Sequence, residues 1–304
     1  MDRSTRQRVI FCALGSLLLF LGCKSRHPVN PEYQREIEQW RSGRVERLRA
    51  PEGWLSLAGL YWLKPGENRF GSDPKLPVAL PTGTAPPNAG AFFLENNRVR
   101  VKAEPGVELK LGSERVAERE LKDDAQGAPD VLALGRLRLQ VIVRGGGYAI
   151  RVKDPERPER KTFRGIDYYP IDEKYRLRAR FVPYEPKHQI ELTSAQGPAQ
   201  TMEVPGYVEF ELAGNKLRLE PALEEKDAKE FFFIFRDATS NQETYGAGRY
   251  LYSELPKSGE LTIDFNKAYN PPCAFTHFAT CPLPPKQNRL DVRIEAGEKK
   301  PSEH

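Results

Sequence analysis

Five consecutive apolar residues constrain the fold of this chain more than any other segment. The run Phe231–Phe235 reads FFFIF, and a charged connector at residues 224–230 precedes it. Because side chains alternate between the two faces of a strand, this run is apolar on both faces. It is therefore predicted to be a central strand that is buried on both sides.

Prolines and glycines predict a mostly β architecture around that strand. The 304-residue chain contains 26 prolines and 24 glycines, dispersed along its length, which is typical of many turns and short strands. A charged, proline-containing loop at residues 154–161 marks a junction between two parts. We therefore predict two antiparallel β-sandwich or barrel-like domains, over residues 51–153 and 162–299.

A short N-terminal helix is predicted ahead of these domains. Asn30 is a favourable N-cap, Pro31 suits the first turn, and the acidic Glu32 suits the positive end of the helix dipole. The helix is expected to run to Arg47, within a tether at residues 23–50, and to pack on the outside of the first domain. Strands are predicted in the first domain at residues 77–80, 91–94, 99–103, 108–111 and 137–143, and in the second at 175–181, 206–212 and 216–221.

The strand at residues 175–181 carries three arginines on one face. Its sequence YRLRARF alternates strictly, so Arg176, Arg178 and Arg180 lie opposite the apolar side chains. These arginines could bind an anion together. A solvated outer face explains them equally well.

The N-terminal residues resemble the leader of a bacterial lipoprotein. A basic start at residues 1–8 precedes a short apolar run at residues 9–22, a pattern typical of a secretory signal. The sequence FLGC at residues 20–23 resembles a lipobox. That resemblance implies a signal peptide over residues 1–22 and a diacyl anchor on Cys23, and Lys24 is compatible with the outer membrane. An uncleaved anchor or a plain signal is the alternative.

The first β domain resembles a forkhead-associated sandwich in outline. A turn, the pair Gly71-Ser72 and several short strands lead to VLALGRL at residues 131–137. The loop that corresponds to the phosphothreonine site is Asn88–Ala91, which lacks the Ser, Arg and His of that site. The resemblance therefore implies the fold without phosphopeptide binding.

A polar cluster next to the predicted buried strands is the candidate functional site. Charged groups at such positions are seldom left unpaired, so an internal Asp–Arg network is one interpretation. The other places them at the mouth of a pocket, with Asp237 as a base and Arg249 as an anion clamp. The candidates are Arg236, Asp237, Thr239, Thr244, Tyr245, Arg249, Asp264 and Asn266.

Cys273 and Cys281 flank His277 in a proline-rich loop near the C-terminus. In an envelope compartment, two nearby cysteines most often form a disulfide. Buried free thiols that pack as small apolar groups are the second possibility. A metal site is the third, but Cys-x3-His-x3-Cys is no standard zinc spacing and lacks a fourth ligand, so no metal is predicted.

Several long motifs resemble the bacterial domain-of-unknown-function family numbered 1684. They include FRDAT at residues 235–239, TYGAGRYL at 244–251 and DFNKAYNPPCAFTHFATCPLPP at 264–285, with GWLSLAGLYWL, FGSDP and YYPID upstream. The likeness spans about residues 35–299. It implies membership of that family, and no activity or catalytic residues come with it.

Familiar catalytic motifs are missing from the sequence. It contains no G-x-S-x-G elbow, no H-E-x-x-H and no phosphate-binding loop, so no cofactor is predicted. The net charge of +5 is only mildly basic, and aromatic and basic residues do not interleave, so no nucleic-acid partner is expected. The leading hypothesis is a binding or structural module anchored in the cell envelope. The alternative is an envelope enzyme that acts on a lipid, a glycan or a small anionic substrate.

Overall fold

The computed structural model describes residues 28–301. The predicted signal peptide, the lipidation site Cys23 and the first residues of the tether lie outside this range. Within it, no helix combines the length and the apolar content that crossing a membrane requires.

The predicted N-terminal helix is confirmed as α1 (Pro31–Arg49), and the Asn30 side chain accepts from the backbone N–H groups of the first turn. It contacts the start of the first domain, where Leu48 packs with Leu55, and it also packs on the second part of the chain. Tyr33 donates to Asp264 at 2.8 Å, and Arg44 donates to Glu298 at 3.0 Å. The polar side chains that the helix buries, Tyr33 and Arg44, have their partners in the second part.

The first part is a β-sandwich, with the core between two sheets. Among the described residues, one sheet has the order β1-β11-β10-β9-β6-β7 and the other β3-β2-β4-β5-β8. The strands are β1 (Leu57–Trp62), β2 (Gly66–Gly71), β3 (Val78–Ala79), β4 (Gly90–Glu95), β5 (Arg98–Ala103), β6 (Leu109–Leu111), β7 (Glu114–Arg115), β8 (Glu118–Leu121), β9 (Val131–Leu134), β10 (Leu137–Arg144) and β11 (Gly147–Lys153). The resemblance to a forkhead-associated domain stays a prediction.

The junction between the parts contains a short helix, α2 (Pro158–Thr162). Asp154, at the start of the junction, is buried and pairs with Arg136 at 2.9 Å. Arg157 donates to the carbonyl of Leu57. These bonds hold the charged loop against the first sandwich.

The second part builds its core between a four-stranded sheet and a two-stranded ribbon within the described residues. The sheet has the order β14-β13-β12-β17, and β15 pairs with β16 in the ribbon. The strands are β12 (Arg176–Leu192), β13 (Gln200–Leu212), β14 (Asn215–Leu219), β15 (Glu230–Phe235), β16 (Arg249–Glu254) and β17 (Glu260–Asp264). The predicted mostly β fold with antiparallel sheets and one N-terminal helix is confirmed.

The run FFFIF forms β15 and is buried on both faces, as predicted. Phe231, Phe233 and Phe235 enter the core of the second part. Phe232 and Ile234 enter a separate apolar cluster on the other face. The strand is not central in a sheet, however, since β16 is its partner on one edge and a bridge from Ala222 covers the other.

The hairpin of β12 and β13 is longer than its sequence indicates, and its tip reaches the first part. Gly197 in the tip has a φ of +94°, and a Cβ there would overlap the Trp62 ring. This close approach connects the second part to β1, beside the end of β10.

Candidate functional site

Asp237 and Arg249, two of the eight predicted site residues, form the centre of a buried network. Asp237 follows β15 and Arg249 begins β16. The Arg249 side chain is 1% exposed, and its Nη2 donates to Asp237 Oδ1 at 3.2 Å and to the Ile294 carbonyl at 3.0 Å. Asp237 Oδ2 accepts from the backbone N–H of Ile294 at 2.7 Å. The pair therefore ties the C-terminal segment to the ribbon.

Thr239 and Thr244 close the turn that follows Asp237. Thr239 Oγ1 donates to the Asp237 carboxylate at 2.9 Å and lies 2.9 Å from Thr244 Oγ1. Both threonines are fully buried. The Thr239 hydroxyl thus adds a donor to the carboxylate, and the Thr244 hydroxyl bonds that of Thr239.

Asp264 and Asn266 belong to a second network, which holds α1 in place. The Tyr33 hydroxyl donates to Asp264, and Asn266 Nδ2 donates to that hydroxyl and to the Asp172 carbonyl, each at 2.9 Å. Burial raises the pKa of Asp264 above its usual range. Burial also raises the pKa of Tyr33, so its hydroxyl stays a donor.

The other two candidates also have internal roles. The backbone of Arg236 pairs with the C-terminal segment through Asn288 and Leu290. Tyr245 donates to the carbonyl of Cys273 at 3.1 Å. The eight predicted residues thus do not converge on one site: Asp237, Thr239, Thr244 and Arg249 belong to one internal network, and Asp264 and Asn266 belong to another.

The three arginines of β12 fit the solvated-face interpretation. Arg178 and Arg180 form cross-strand ion pairs with Glu260 and Glu209. The guanidinium of Arg176 lies 4.9 Å from the centre of the Tyr33 ring. Each arginine has its own partner, so the three do not form one anion site.

Cys273 and Cys281 are free thiols in the structure. The backbone N–H of Cys273 donates to Cys281 Sγ at 3.2 Å. The hydrogen bond between the two thiols lowers the pKa of Cys273 and, together with burial, raises the pKa of Cys281. Within residues 28–301, no group of three or more His, Cys, Asp or Glu side chains could hold a metal ion. The disulfide stays a prediction for an oxidising compartment.

A large cleft lies where α1 and the two parts meet. Its volume is about 1070 Å³, and residues from α1, β10, β11, β12, β13, β15, β16 and β17 line it. Of the eight predicted site residues, Asp264 lines this cleft and the other seven do not. The cleft was missed at the sequence level because its walls come from segments that are far apart in the chain.

Aromatic side chains cover one side of the cleft, and we call them the aromatic wall. Tyr252 stacks between Phe232 and Tyr269, with ring centres 5.0 Å and 6.2 Å away. Tyr250 meets the Phe232 ring edge to face. The wall comprises Trp40, Trp54, Phe232, Tyr250, Tyr252 and Tyr269.

Most acidic side chains that line the cleft already have a partner. Lys267 pairs with Glu36 at 2.6 Å, and Lys257 pairs with Glu254 at 2.8 Å. Glu224 accepts from the Tyr252 hydroxyl at 2.6 Å. These bonds neutralise or occupy the acids along this side of the cleft.

Arg151 lines the cleft from β11 and differs from the other cations there. It is 7% exposed, and within residues 28–301 its Nε has no hydrogen-bond partner. The neighbouring acid Asp124 forms its ion pair with Arg144 instead. Its guanidinium lies 5.4 Å from the centre of the Trp54 ring. Burial lowers its pKa to about 10. A sequence signal existed, since Arg151 interrupts the apolar residues Ala149, Ile150 and Val152.

The comparisons with known proteins concern mainly the second part. A family model described as a protein of unknown function (DUF1684) matches residues 161–299. An uncharacterized protein of Haloarcula marismortui, solved in solution by NMR, is 32% identical, with 50% of this chain and 85% of that chain covered and a TM-score of 0.42. Over residues 161–299 the chain belongs to the DUF1684 family.

Membership of the DUF1684 family confirms the likeness carried by FRDAT, TYGAGRYL and the cysteine-containing motif. The upstream motifs GWLSLAGLYWL and FGSDP precede the matched range. None of the curated proteins compared with the chain matches it. The buried Asp237–Arg249 pair and most of the aromatic wall lie within the DUF1684 range, whereas Arg151 comes from the part before it.

Proposed function

We propose that this protein is a lipid-anchored binding module of the bacterial cell envelope that holds a small molecule in the cleft. The leader at residues 1–22 and Cys23 support the anchor and the location. The cleft supports the binding role. An outer-membrane location agrees with Lys24.

The observation that carries this proposal is the combination of cleft volume and lining. Sites for small molecules typically have volumes of roughly 300–1,000 Å³ and apolar or aromatic walls with a few polar groups. The cleft has about 1070 Å³, one aromatic wall and polar groups from both parts of the chain. It also lies at the meeting of two structural units, where ligand sites commonly occur.

Binding is favoured over catalysis by the bonds of the polar candidates. Asp237 and Arg249 bond each other and the backbone, so neither is available as a base or an anion clamp. Asp264 lines the cleft, but its carboxylate accepts from Tyr33 and Asn266. These groups therefore stabilise the walls.

Tryptophan fluorescence tests the proposal, because Trp40 and Trp54 line the cleft and Trp62 does not. Octyl phosphate and octyl glucoside, each below its micelle concentration, serve as charged and uncharged probes. At least one should change the emission saturably. The Trp62→Phe variant should keep the response, and the Trp40→Phe/Trp54→Phe double variant should lose it. A wild-type protein that responds saturably to neither probe would contradict the proposed function.

A further inference from the structure

The strongest remaining feature of the cleft is a buried cation with no acid partner among residues 28–301. Transfer of a charge from water to a protein interior is costly unless an opposite charge or several hydrogen bonds compensate for it. Arg151 is more than nine-tenths buried, its Nε has no partner in the described part of the chain, and its side chain lines the cleft. We infer that the ligand of the cleft carries an oxyanion that pairs with Arg151, an inference that rests on the proposed function.

The charges around Arg151 favour an anion. Arg144 is a cationic neighbour of Arg151, lines the same cleft, and pairs with Asp124 at 2.8 Å. Cys281 also lines the cleft, and its hydrogen bond with Cys273 together with burial raises its pKa, so the thiol stays neutral. Two arginines therefore face one carboxylate. One positive charge is left over, and an oxyanion would balance it.

The groove beside Arg151 is apolar, so the ligand has a second, uncharged portion. Trp54 touches the guanidinium and packs against the apolar cluster that contains Phe232 and Tyr250. Met202 belongs to the same cluster and also lines the cleft. The predicted ligand class is an anionic amphiphile, with its oxyanion at Arg151 and its apolar portion along the aromatic wall.

A purely structural role for Arg151 makes a different prediction. Stacking on Trp54 alone would make the arginine stabilising, because a cation over an aromatic ring is attracted to it. A binding role leaves an uncompensated buried charge in the ligand-free protein. Replacement by an apolar side chain of similar length should then keep or raise the melting temperature, as observed for residues retained for function at a cost in stability.

The test compares Arg151→Met and Arg151→Lys with the wild-type protein by titration calorimetry and thermal unfolding. The wild type should bind octyl phosphate more tightly than octyl glucoside. Arg151→Met should weaken octyl phosphate binding about 10- to 100-fold, the usual range for a lost charge-assisted hydrogen bond, and leave octyl glucoside unchanged. Arg151→Lys keeps the charge and should retain part of the preference for octyl phosphate. It serves as the test variant if Arg151→Met fails to fold.

Arg138→Met is the matched control, because Arg138 lies on the neighbouring strand β10, outside the cleft lining, and bonds to backbone carbonyls of residues 135–137. It should bind both probes like the wild type. Equal binding of octyl phosphate by wild type and Arg151→Met would overturn the inference. A wild-type protein that binds both probes equally would also overturn the inference, whereas the proposed binding function of the cleft would remain supported. Binding of neither probe would overturn the proposed function together with the inference.

Competition distinguishes the sources of the oxyanion. Inorganic phosphate should displace octyl phosphate only weakly, because it cannot contact the aromatic wall. Vesicles of phosphatidylglycerol that displace octyl phosphate, when phosphatidylcholine vesicles do not, would assign the oxyanion to a membrane headgroup. Displacement by neither vesicle would assign it to a soluble amphiphile.

Discussion

Asp237 and Arg249 illustrate how charged residues beside a buried strand can be structural. Their burial is nearly complete, and Thr239 and the backbone of Ile294 and Ala296 supply the remaining bonds. Removal of one partner leaves the other charge uncompensated, which typically costs about 3–5 kcal/mol. The pair is therefore expected to contribute to folding rather than to ligand binding.

Replacement of Asp237 by Asn tests this role. The free energy of unfolding should fall by about 3 kcal/mol, because Arg249 stays buried without its counter-charge. Urea denaturation measures the change. Asp291→Asn, at an exposed position of the same C-terminal segment, should change stability by less than about 0.5 kcal/mol. A stable Asp237→Asn protein with weakened binding of octyl phosphate would instead support the pocket interpretation.

At the residue scale, the sequence identified the polar residues but not their environment. Asp237 and Arg249 were recognisable because both adjoin apolar strands. Whether they bond each other or a ligand depends on residues 288–296, which are distant in the sequence. Arg151 was visible as a charge within an apolar strand, but its lack of an acid partner in the described part of the chain depends on which acids the fold brings near.

The elements with strong local signals were predicted well. The Asn30 cap and Pro31 locate the start of α1. The pair Asn96-Asn97, a residue type that tolerates positive φ, forms the turn between β4 and β5. The extension of β12 and β13 beyond the predicted bounds has a different origin. These ends pair with each other from His188 to Leu192, and this part of the chain lacks clear apolar alternation.

The docking of α1 is an element-scale claim, and Tyr33→Phe tests it. The substitution removes the hydroxyl that donates to Asp264 and accepts from Asn266. Because buried polar groups then lose a partner, the free energy of unfolding should fall by about 1–3 kcal/mol. Tyr184→Phe removes a hydroxyl bonded to Glu220 at a more exposed site and should cost less. Equal losses in urea denaturation would contradict the proposed importance of this contact.

At the scale of the whole molecule, the cleft depends on three separate units. Helix α1, the first sandwich and the second part each contribute walls, and only their relative arrangement creates the volume. Periodicity and turn signals predict elements, but they contain no information on how such units pack. For this reason the mostly β fold could be predicted and the cleft could not.

The mass of the protein taken from membranes of its natural host tests the central claim most directly, because one sample reports both the anchor and the ligand. Under denaturing conditions, the mass should equal the chain from Cys23 plus a diacyl group, and Cys23→Ser should lack that addition. Under native conditions, a further small molecule should be present at one copy per chain, displaceable by octyl phosphate. Equal native and denatured masses, unchanged after addition of octyl phosphate, would contradict a binding function for the cleft.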